Sequence, residues 1–83
     1  MAFILCARDG SVRVSRREEA RCLTLARGKR CNLERLLLGQ ARHAWDGTTL
    51  LVPGIPEADC EEAALQAAIA FGGRLTRALA RPA

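Results

Sequence analysis

Four cysteines and one histidine are the side chains that could bind a metal ion or form a thiol nucleophile. The cysteines are separated by 15, 8 and 28 residues, at positions Cys6, Cys22, Cys31 and Cys60. A zinc site normally places two of its ligands a few residues apart on one tight turn. No two cysteines have that spacing, and the single His43 cannot supply it. We therefore expect no metal, no cofactor and buried structural thiols, with a disulfide or a metal site as the alternatives.

Patterns of catalytic residues are missing from the sequence. A thiol–histidine pair would require His43 beside an activated cysteine, and nothing in the spacing indicates one. Glu61 and Glu62 are neighbours on a predicted helix, so their side chains point about 100° apart. No phosphate-binding loop, dinucleotide motif, zinc-protease motif or nucleophile elbow occurs, and Gly72-Gly73 predicts the end of a helix. We expect a protein that works by binding, without catalytic residues, and not an enzyme.

Basic residues are concentrated in the first half of the chain. From Arg8 to Arg35 there are nine basic and four acidic residues, a net charge of +5, whereas the whole chain carries +4. Arginine bonds carboxylates and phosphates through two donors, so this segment suits an acidic protein surface or nucleic acid, with a merely solvated face as the third alternative. The residues expected to contact the partner are Arg13, Arg16, Arg17, Arg21, Arg27, Lys29 and Arg30.

The single tryptophan, Trp45, is a secondary candidate for the same partner. Tryptophan is enriched at the centres of interfaces, although a lone Trp more often covers a small core. The chain has no Tyr, and Phe3 and Phe71 are expected in the core, which leaves few rings for stacking on bases and favours a protein partner. A homodimer is a further alternative if one sheet edge stays open.

Length and composition predict a single compact domain over residues 1–83. The 9.0 kDa chain is 49% hydrophobic and 27% charged, which is typical of a folded domain. No apolar run approaches the roughly 18 residues of a membrane helix, and residues 1–7 are too short for a signal peptide, so we expect a cytoplasmic protein without membrane contact. Twelve of the thirteen basic residues are Arg, whose codons are GC-rich, and this suggests a bacterium or its phage.

These exclusions leave a small protein-binding module acting inside a bacterial host cell. Its size and composition are typical of a phage or mobile-element inhibitor of a host system, of which anti-CRISPR proteins are one example. The alternative is a small basic regulator that binds nucleic acid through the arginines of the first half.

The dipeptide Asp9-Gly10 predicts a β-hairpin, because it lies between two segments of alternating apolar residues. A two-residue turn would pair Ala7 with Val12 and Leu5 with Val14. The resulting apolar face would consist of Phe3, Leu5, Ala7, Val12 and Val14.

The dipeptide Asp46-Gly47 predicts a second hairpin, with Trp45 paired to Thr48, His43 to Leu50 and Ala41 to Val52. A competing interpretation has Asn32 capping a helix. That helix could be long and reach Trp45, or run only from Leu33 to Leu38 before Gly39. Residues 40–45 are thus either strand or helix.

Two main helices are predicted to pack on one face of the sheet. A capping box of Ser15 and Glu18 predicts a helix over residues 16–27. A second helix is predicted from Pro56 to about Phe71. Residues 74–80 then form a fifth strand or a short final helix, with the strand favoured. The predicted fold is α+β, a small antiparallel sheet of two Asp-Gly hairpins in a ββα-ββα order.

Overall fold

The apolar run at the start of the chain forms an inner strand of the sheet. The computed structural model describes residues 1–39, 47–57 and 60–80. The sheet is antiparallel throughout, with β1 between β2 and β3 and with β4 beyond β3. Together with two helices it confirms the predicted α+β class. The elements are β1 (Ala2–Cys6), β2 (Val12–Ser15), β3 (Leu23–Gly28), α1 (Arg30–Leu37), β4 (Thr49–Leu50) and α2 (Glu62–Ala80).

The turn between β1 and β2 contains three residues instead of the predicted two. The backbone N–H of Ala7 donates to the Ser11 carbonyl at 2.8 Å, and the Ala7 carbonyl accepts from the Gly10 N–H at 2.9 Å. Gly10 has a φ of +87°, a conformation that only glycine adopts without strain. The Asp9 carboxylate accepts bonds from the Ser11 hydroxyl and N–H, which hold the pKa of Asp9 below its usual value.

The longer turn shifts the pairing of β1 with β2 by one residue. Ile4 lies opposite Val14 and Cys6 opposite Val12, whereas Leu5 lies opposite Arg13. Directly paired residues point to the same face, so a slip of one residue exchanges the two faces of a strand. The predicted pairs Ala7–Val12 and Leu5–Val14 are therefore wrong, as is the predicted apolar face of Phe3, Leu5, Ala7, Val12 and Val14.

The predicted helix over residues 16–27 is wrong, because strand β3 occupies its second half. Ser15 ends β2 and does not cap a helix; its hydroxyl accepts the N–H of Arg17 at 3.4 Å within a local bend. Strand β3 pairs with the second edge of β1. Satisfying the backbone groups of a buried central strand outweighs the weak helix preference of this segment.

Residues 16–22 form a connection, here called the crossover, that passes over β1. Strands β2 and β3 flank β1 and both run antiparallel to it, so their connection must cross one face of the sheet. Arg13, paired opposite Leu5, forms an ion pair with Glu19 of the crossover. The crossover therefore lies on the Leu5 face. Leu5 is fully buried there, although it points away from Ile4 and Cys6.

Helix α1 is short and ends at a glycine. It follows Lys29, whose backbone is extended and whose side chain makes no cap hydrogen bond. Beyond its C-cap residue Leu38, Gly39 has a φ of +73° and donates its N–H to the Leu36 carbonyl. A left-handed glycine at this position ends helices. The shorter of the two predicted helices is thus formed, but it starts at Arg30 and Asn32 is not its cap.

Among the described residues β4 is an edge strand that pairs with β3, with Leu50 opposite Ala26 and Thr49 opposite Arg27. Over the described residues the order is three strands, a helix, a strand and a helix. Since strand β3 follows β2 where the first ββα unit required a helix, the predicted repeat of two ββα units is wrong. The predicted pairs of the second hairpin, Trp45–Thr48, His43–Leu50 and Ala41–Val52, involve residues 40–46, which lie outside the described residues.

Helix α2 continues through Gly72-Gly73, so the predicted helix end at this pair and the predicted strand over residues 74–80 are both wrong. A Cβ at Gly72 would overlap the side chain of Leu25, which is fully buried in β3. Glycine costs a helix roughly 1 kcal/mol relative to alanine. Here the cost is offset by close packing of the helix on the sheet.

The hydrophobic core lies on the Ile4 and Cys6 face of the sheet, and both helices contribute to it. Its buried members are Ala2, Ile4, Cys6, Leu25, Ala26, Leu33, Leu36, Leu50, Val52, Cys60, Leu65 and Ala68. Full burial of one leucine stabilises a fold by about 1.5–3 kcal/mol. Over the described residues, neither helix combines the length and the apolar character needed to span a membrane.

Candidate partner-binding surface

The seven basic residues predicted to bind a partner fall into two groups. Three of them form ion pairs within the chain, Arg13 with Glu19, Arg27 with Glu57 and Arg30 with Glu34. The last two pairs are 2.8 Å long. Since each of these guanidinium groups already faces a carboxylate, it contributes less positive potential to the surface than an unpaired group.

The second group consists of the four exposed residues Arg16, Arg17, Arg21 and Lys29, of which the three arginines lie in the crossover. Among the described residues, none of these three arginines forms an ion pair. Lys29, immediately before α1, is likewise exposed and without an ion pair in that part of the chain. The arginines lie on an irregular connection and not on the predicted helix. The crossover therefore presents positive charge that the chain itself does not neutralise.

A groove, here called the basic groove, opens beside the end of the crossover. One hollow of about 370 Å³ is lined by Arg8 and Arg21 together with Ala20, Cys22, Leu23, Thr76 and Leu79. A second hollow of about 510 Å³ is lined by Ala7, Arg8, Arg21 and Cys22, and thus continues the first. The groove combines two cationic side chains with an apolar floor.

Glu19 is one of the two acidic residues of the crossover, and its carboxylate already accepts hydrogen bonds within the chain. Its carboxylate accepts from the Arg13 guanidinium and from the Cys22 thiol. The hydrogen bond from Arg13, together with its positive charge, lowers the pKa of Glu19, and the same pair raises the pKa of Arg13. Glu19 is thereby directed to Arg13, and in the described part of the chain it forms no ion pair with Arg8 or Arg21.

Of the residues that line the groove, only Arg21 was predicted from the sequence to bind a partner. Arg8 is the first residue of the three-residue turn, and its position next to Asp9-Gly10 was the available signal, because a tight turn lies at one end of a sheet. Thr76 and Leu79 lie three residues apart on α2, a helical spacing. Their contribution requires α2 to continue beyond Gly72-Gly73, which the sequence did not predict.

Trp45 and His43 lie outside the described residues, so their predicted roles stay predictions. The cysteines are all free, with Cys6 and Cys60 buried, Cys22 partly buried and Cys31 exposed. The expected burial of the thiols is thus wrong for Cys31. No group of three or more Cys, His, Asp or Glu side chains that could hold a metal ion occurs within residues 1–39, 47–57 and 60–80. Glu61 and Glu62 are exposed at the start of α2.

Comparison with protein-family models, with curated proteins and with solved structures finds no match for this chain. The case for a function therefore rests on the surface of the molecule itself.

Proposed function

We propose that this chain is a binding module whose basic groove holds an acidic segment of a partner protein. The observation that carries the proposal is the position of Arg8 and Arg21, two exposed arginines without an ion pair in the described part of the chain, around an apolar floor. A segment that alternates carboxylates with aliphatic side chains satisfies both features at once.

The charge around the groove supports an acidic partner. Arg16 and Arg17 extend the positive surface along the crossover, in the same connection as Arg21. Arginine bonds carboxylates through two parallel donors, which gives the contact direction as well as strength. A partner whose acidic side chains follow the crossover would therefore be drawn to the groove by the long-range field and held there by direct bonds.

The floor of the groove favours a protein segment over nucleic acid. Its apolar part consists of Ala20, Leu23 and Leu79, with Leu79 74% exposed. Proteins that bind single strands usually stack bases on aromatic rings, and among the described residues that line the groove none is aromatic. Aliphatic side chains of a peptide bury readily against such a floor.

A direct test measures binding of a short fluorescein-labelled peptide of alternating aspartate and leucine by fluorescence anisotropy. Replacing Arg8 or Arg21 by Gln should weaken binding roughly ten- to a hundredfold, as expected for loss of one charge-assisted hydrogen bond. Arg35→Gln is the matched control, because it removes the same charge from an exposed residue of α1 outside the groove. Equal losses in all three variants, or no binding by the wild type, would refute the proposal.

The same titration with single-stranded and duplex DNA examines the second candidate function. A nucleic-acid-binding regulator would be favoured if the protein bound DNA but not the acidic peptide. Its DNA affinity should then fall steeply with salt and depend on Arg16, Arg17 and Arg21. If the protein does not bind DNA even at low salt, nucleic-acid binding by the crossover is excluded.

Within this proposal, the partner belongs to a bacterial host system and the chain acts as its inhibitor, as anti-CRISPR proteins do. Small size and arginine-rich composition support this narrower assignment. Its test adds the purified protein to assays of host defence complexes, such as guided DNA cleavage. Inhibition by the wild type that is lost in the double variant Arg8→Gln, Arg21→Gln would support it, and activity unaffected by either protein would exclude the complexes tested.

A further inference from the structure

We propose that two copies of this chain pair through the outer edge of β2 to form a homodimer with one continuous sheet. The inference is independent of the basic groove, since it rests on β2, on α1 and on residues that do not line that groove.

The backbone of β2 presents unpaired groups along its outer edge. Ala7 and Ser11 are joined by a backbone hydrogen bond at the turn. Hydrogen-bonded and non-hydrogen-bonded pairs alternate along an antiparallel ladder, so Arg13 and Ser15 direct their N–H and C=O groups towards β1. Val12 and Val14 direct theirs outward. In the described part of the chain no strand lies beyond β2, so these groups are open to a second strand.

An apolar hollow adjoins this open edge. It measures about 360 Å³ and is lined by Val14, Leu37 and Leu38 with Arg30 and Glu34. Leu38 is 73% exposed, an unusual position for a leucine next to a sheet edge. A strand added to β2 would extend the sheet beneath the hollow and bring further apolar surface against Val14 and Leu38.

The charge on this flank of the sheet favours a second copy of the chain as the binding partner. Arg30 and Glu34 form an ion pair at the rim of the hollow, so this patch carries both signs and no excess of either. The chain as a whole carries +4, and two copies meeting through the crossover would repel each other. At the hollow, the flank of β2 and α1 therefore presents an ion pair to a second copy in place of unpaired arginines, and such a pair of both signs suits the self-complementarity of an isologous contact.

The pairing register follows from Arg13. A twofold axis at Arg13 would place two like charges directly opposite each other, which destabilises a sheet. A twofold axis at Val14 instead places each Arg13 opposite Ser15 of the other copy. The outward N–H and C=O of Val14 then bond to the C=O and N–H of Val14 in the other copy. Both α1 helices then lie on the same face of the joined sheet, with their Leu38 side chains close to the axis.

The other sheet edge does not offer this contact. Strand β4 has only two residues and is followed by the turn at Pro53 and Gly54. Beside it, Arg27 of β3 is bonded to Glu57 at 2.8 Å. Very short edge strands and nearby charges are the usual protection against strand addition, so pairing is confined to β2.

Sedimentation equilibrium and light scattering on the full chain test the proposal. The wild type should approach twice the 9.0 kDa chain mass with rising concentration. Val14→Pro removes an outward N–H without removing a bond to β1, and Leu38→Glu places like charges beside the axis; each should raise the dimer dissociation constant at least about tenfold, with an unchanged circular dichroism spectrum. The matched control is Leu79→Glu, equally exposed at 74%, which should leave the dimer intact.

A wild type that stays monomeric up to about 1 mM would overturn the proposal. So would a dimer that survives both Val14→Pro and Leu38→Glu, or one that dissociates only in Leu79→Glu. Because Leu79 belongs to the basic groove and Leu38 does not, Leu79→Glu reports on partner binding and Leu38→Glu on self-association, and failure of one proposal is distinguishable from failure of the other.

Discussion

Gly72 of α2 lies directly against the side chain of Leu25 in β3, and a Cβ at Gly72 would overlap that side chain. Leu25 is fully buried and cannot move aside freely. Gly72→Ala should therefore lose about 1–3 kcal/mol by overpacking and regain roughly 1 kcal/mol from the better helix preference of alanine. Urea unfolding should show a protein that is destabilised by up to about 2 kcal/mol.

Gly73 provides the matched control, because it is the neighbouring glycine on the same helix. A Cβ there would lie 3.6 Å from the Arg77 guanidinium and 3.9 Å from the Gly10 carbonyl oxygen, both ordinary contact distances. Gly73→Ala should stabilise the fold by about 0.5–1 kcal/mol. Equal effects of the two substitutions would contradict the assigned packing of α2 on β3.

Leu5 tests whether the crossover forms a structural layer on the second face of the sheet. Leu5→Ala should lower the free energy of unfolding by about 2–5 kcal/mol, the usual cost of a cavity at a fully buried leucine. Leu79→Ala, at a residue 74% exposed, should change stability by no more than about 0.5 kcal/mol. Comparable losses in the two variants would mean that the crossover does not cover Leu5.

The ion pair of Arg13 and Glu19 predicts a pH dependence. The hydrogen bond from Arg13 lowers the folded pKa of Glu19 below its ordinary value of 4.5. A lowered folded pKa means that the contribution of Glu19 to stability is present above pH 4.5 and is lost as the pH falls through the folded pKa. An NMR titration of the Glu19 carboxyl should place its midpoint below 4.5.

Arg13→Gln should return that midpoint towards the ordinary value, whereas Arg27→Gln, which breaks an ion pair elsewhere on the sheet, should leave it in place. The expected stability effect is small because both side chains of the pair are about half exposed. A wild-type midpoint at or above 4.5 would contradict the pairing.

The cysteines should separate into two reactivity classes. Cys31 is exposed and Cys22 partly buried, while Cys6 and Cys60 are buried. Because a thiol must reach solvent to react, Ellman's reagent should titrate two of the four thiols quickly in the native protein and the rest only on unfolding. Cys22→Ser and Cys31→Ser should each remove one fast equivalent. A fast equivalent lost in Cys6→Ser would show that β1 is less protected than the structure indicates.

The α+β class was predictable because the alternation of apolar residues around Asp9-Gly10 indicates an extended chain that reverses direction. The register was not predictable. A two-residue and a three-residue turn both accommodate this dipeptide, and only the burial of Ile4 and Cys6 by helices from later in the chain decides between them.

The fate of residues 16–27 also depends on distant partners. Ser15 and Glu18 have the spacing of a helix cap. The residues from Leu23 onward nevertheless form a strand, because they pair with the second edge of β1. Gly72-Gly73 reads as a helix end when judged locally. Its actual role, close approach to Leu25, is a property of the packed structure.

The positive charge of the candidate site was predictable from the sequence, whereas the basic groove was not. Arginine clustering identified Arg16, Arg17 and Arg21, which are exposed. The same clustering could not show that Arg27 faces a carboxylate, because Glu57 is distant from it in sequence. Nor could it identify Arg8 and Leu79, which the fold brings together from near the two ends of the chain.

The crossover lies on the Leu5 face of the sheet and carries arginines of the proposed binding surface, so occupation of that surface and thermal unfolding are thermodynamically linked. A ligand that binds the folded crossover and not the unfolded chain stabilises the protein by about 2.7 kcal/mol at a concentration a hundred times its dissociation constant. For a domain of this size that corresponds to a rise in melting temperature of roughly 10–20 °C. Melting curves recorded against libraries of acidic ligands would therefore detect a partner without any assay of its activity.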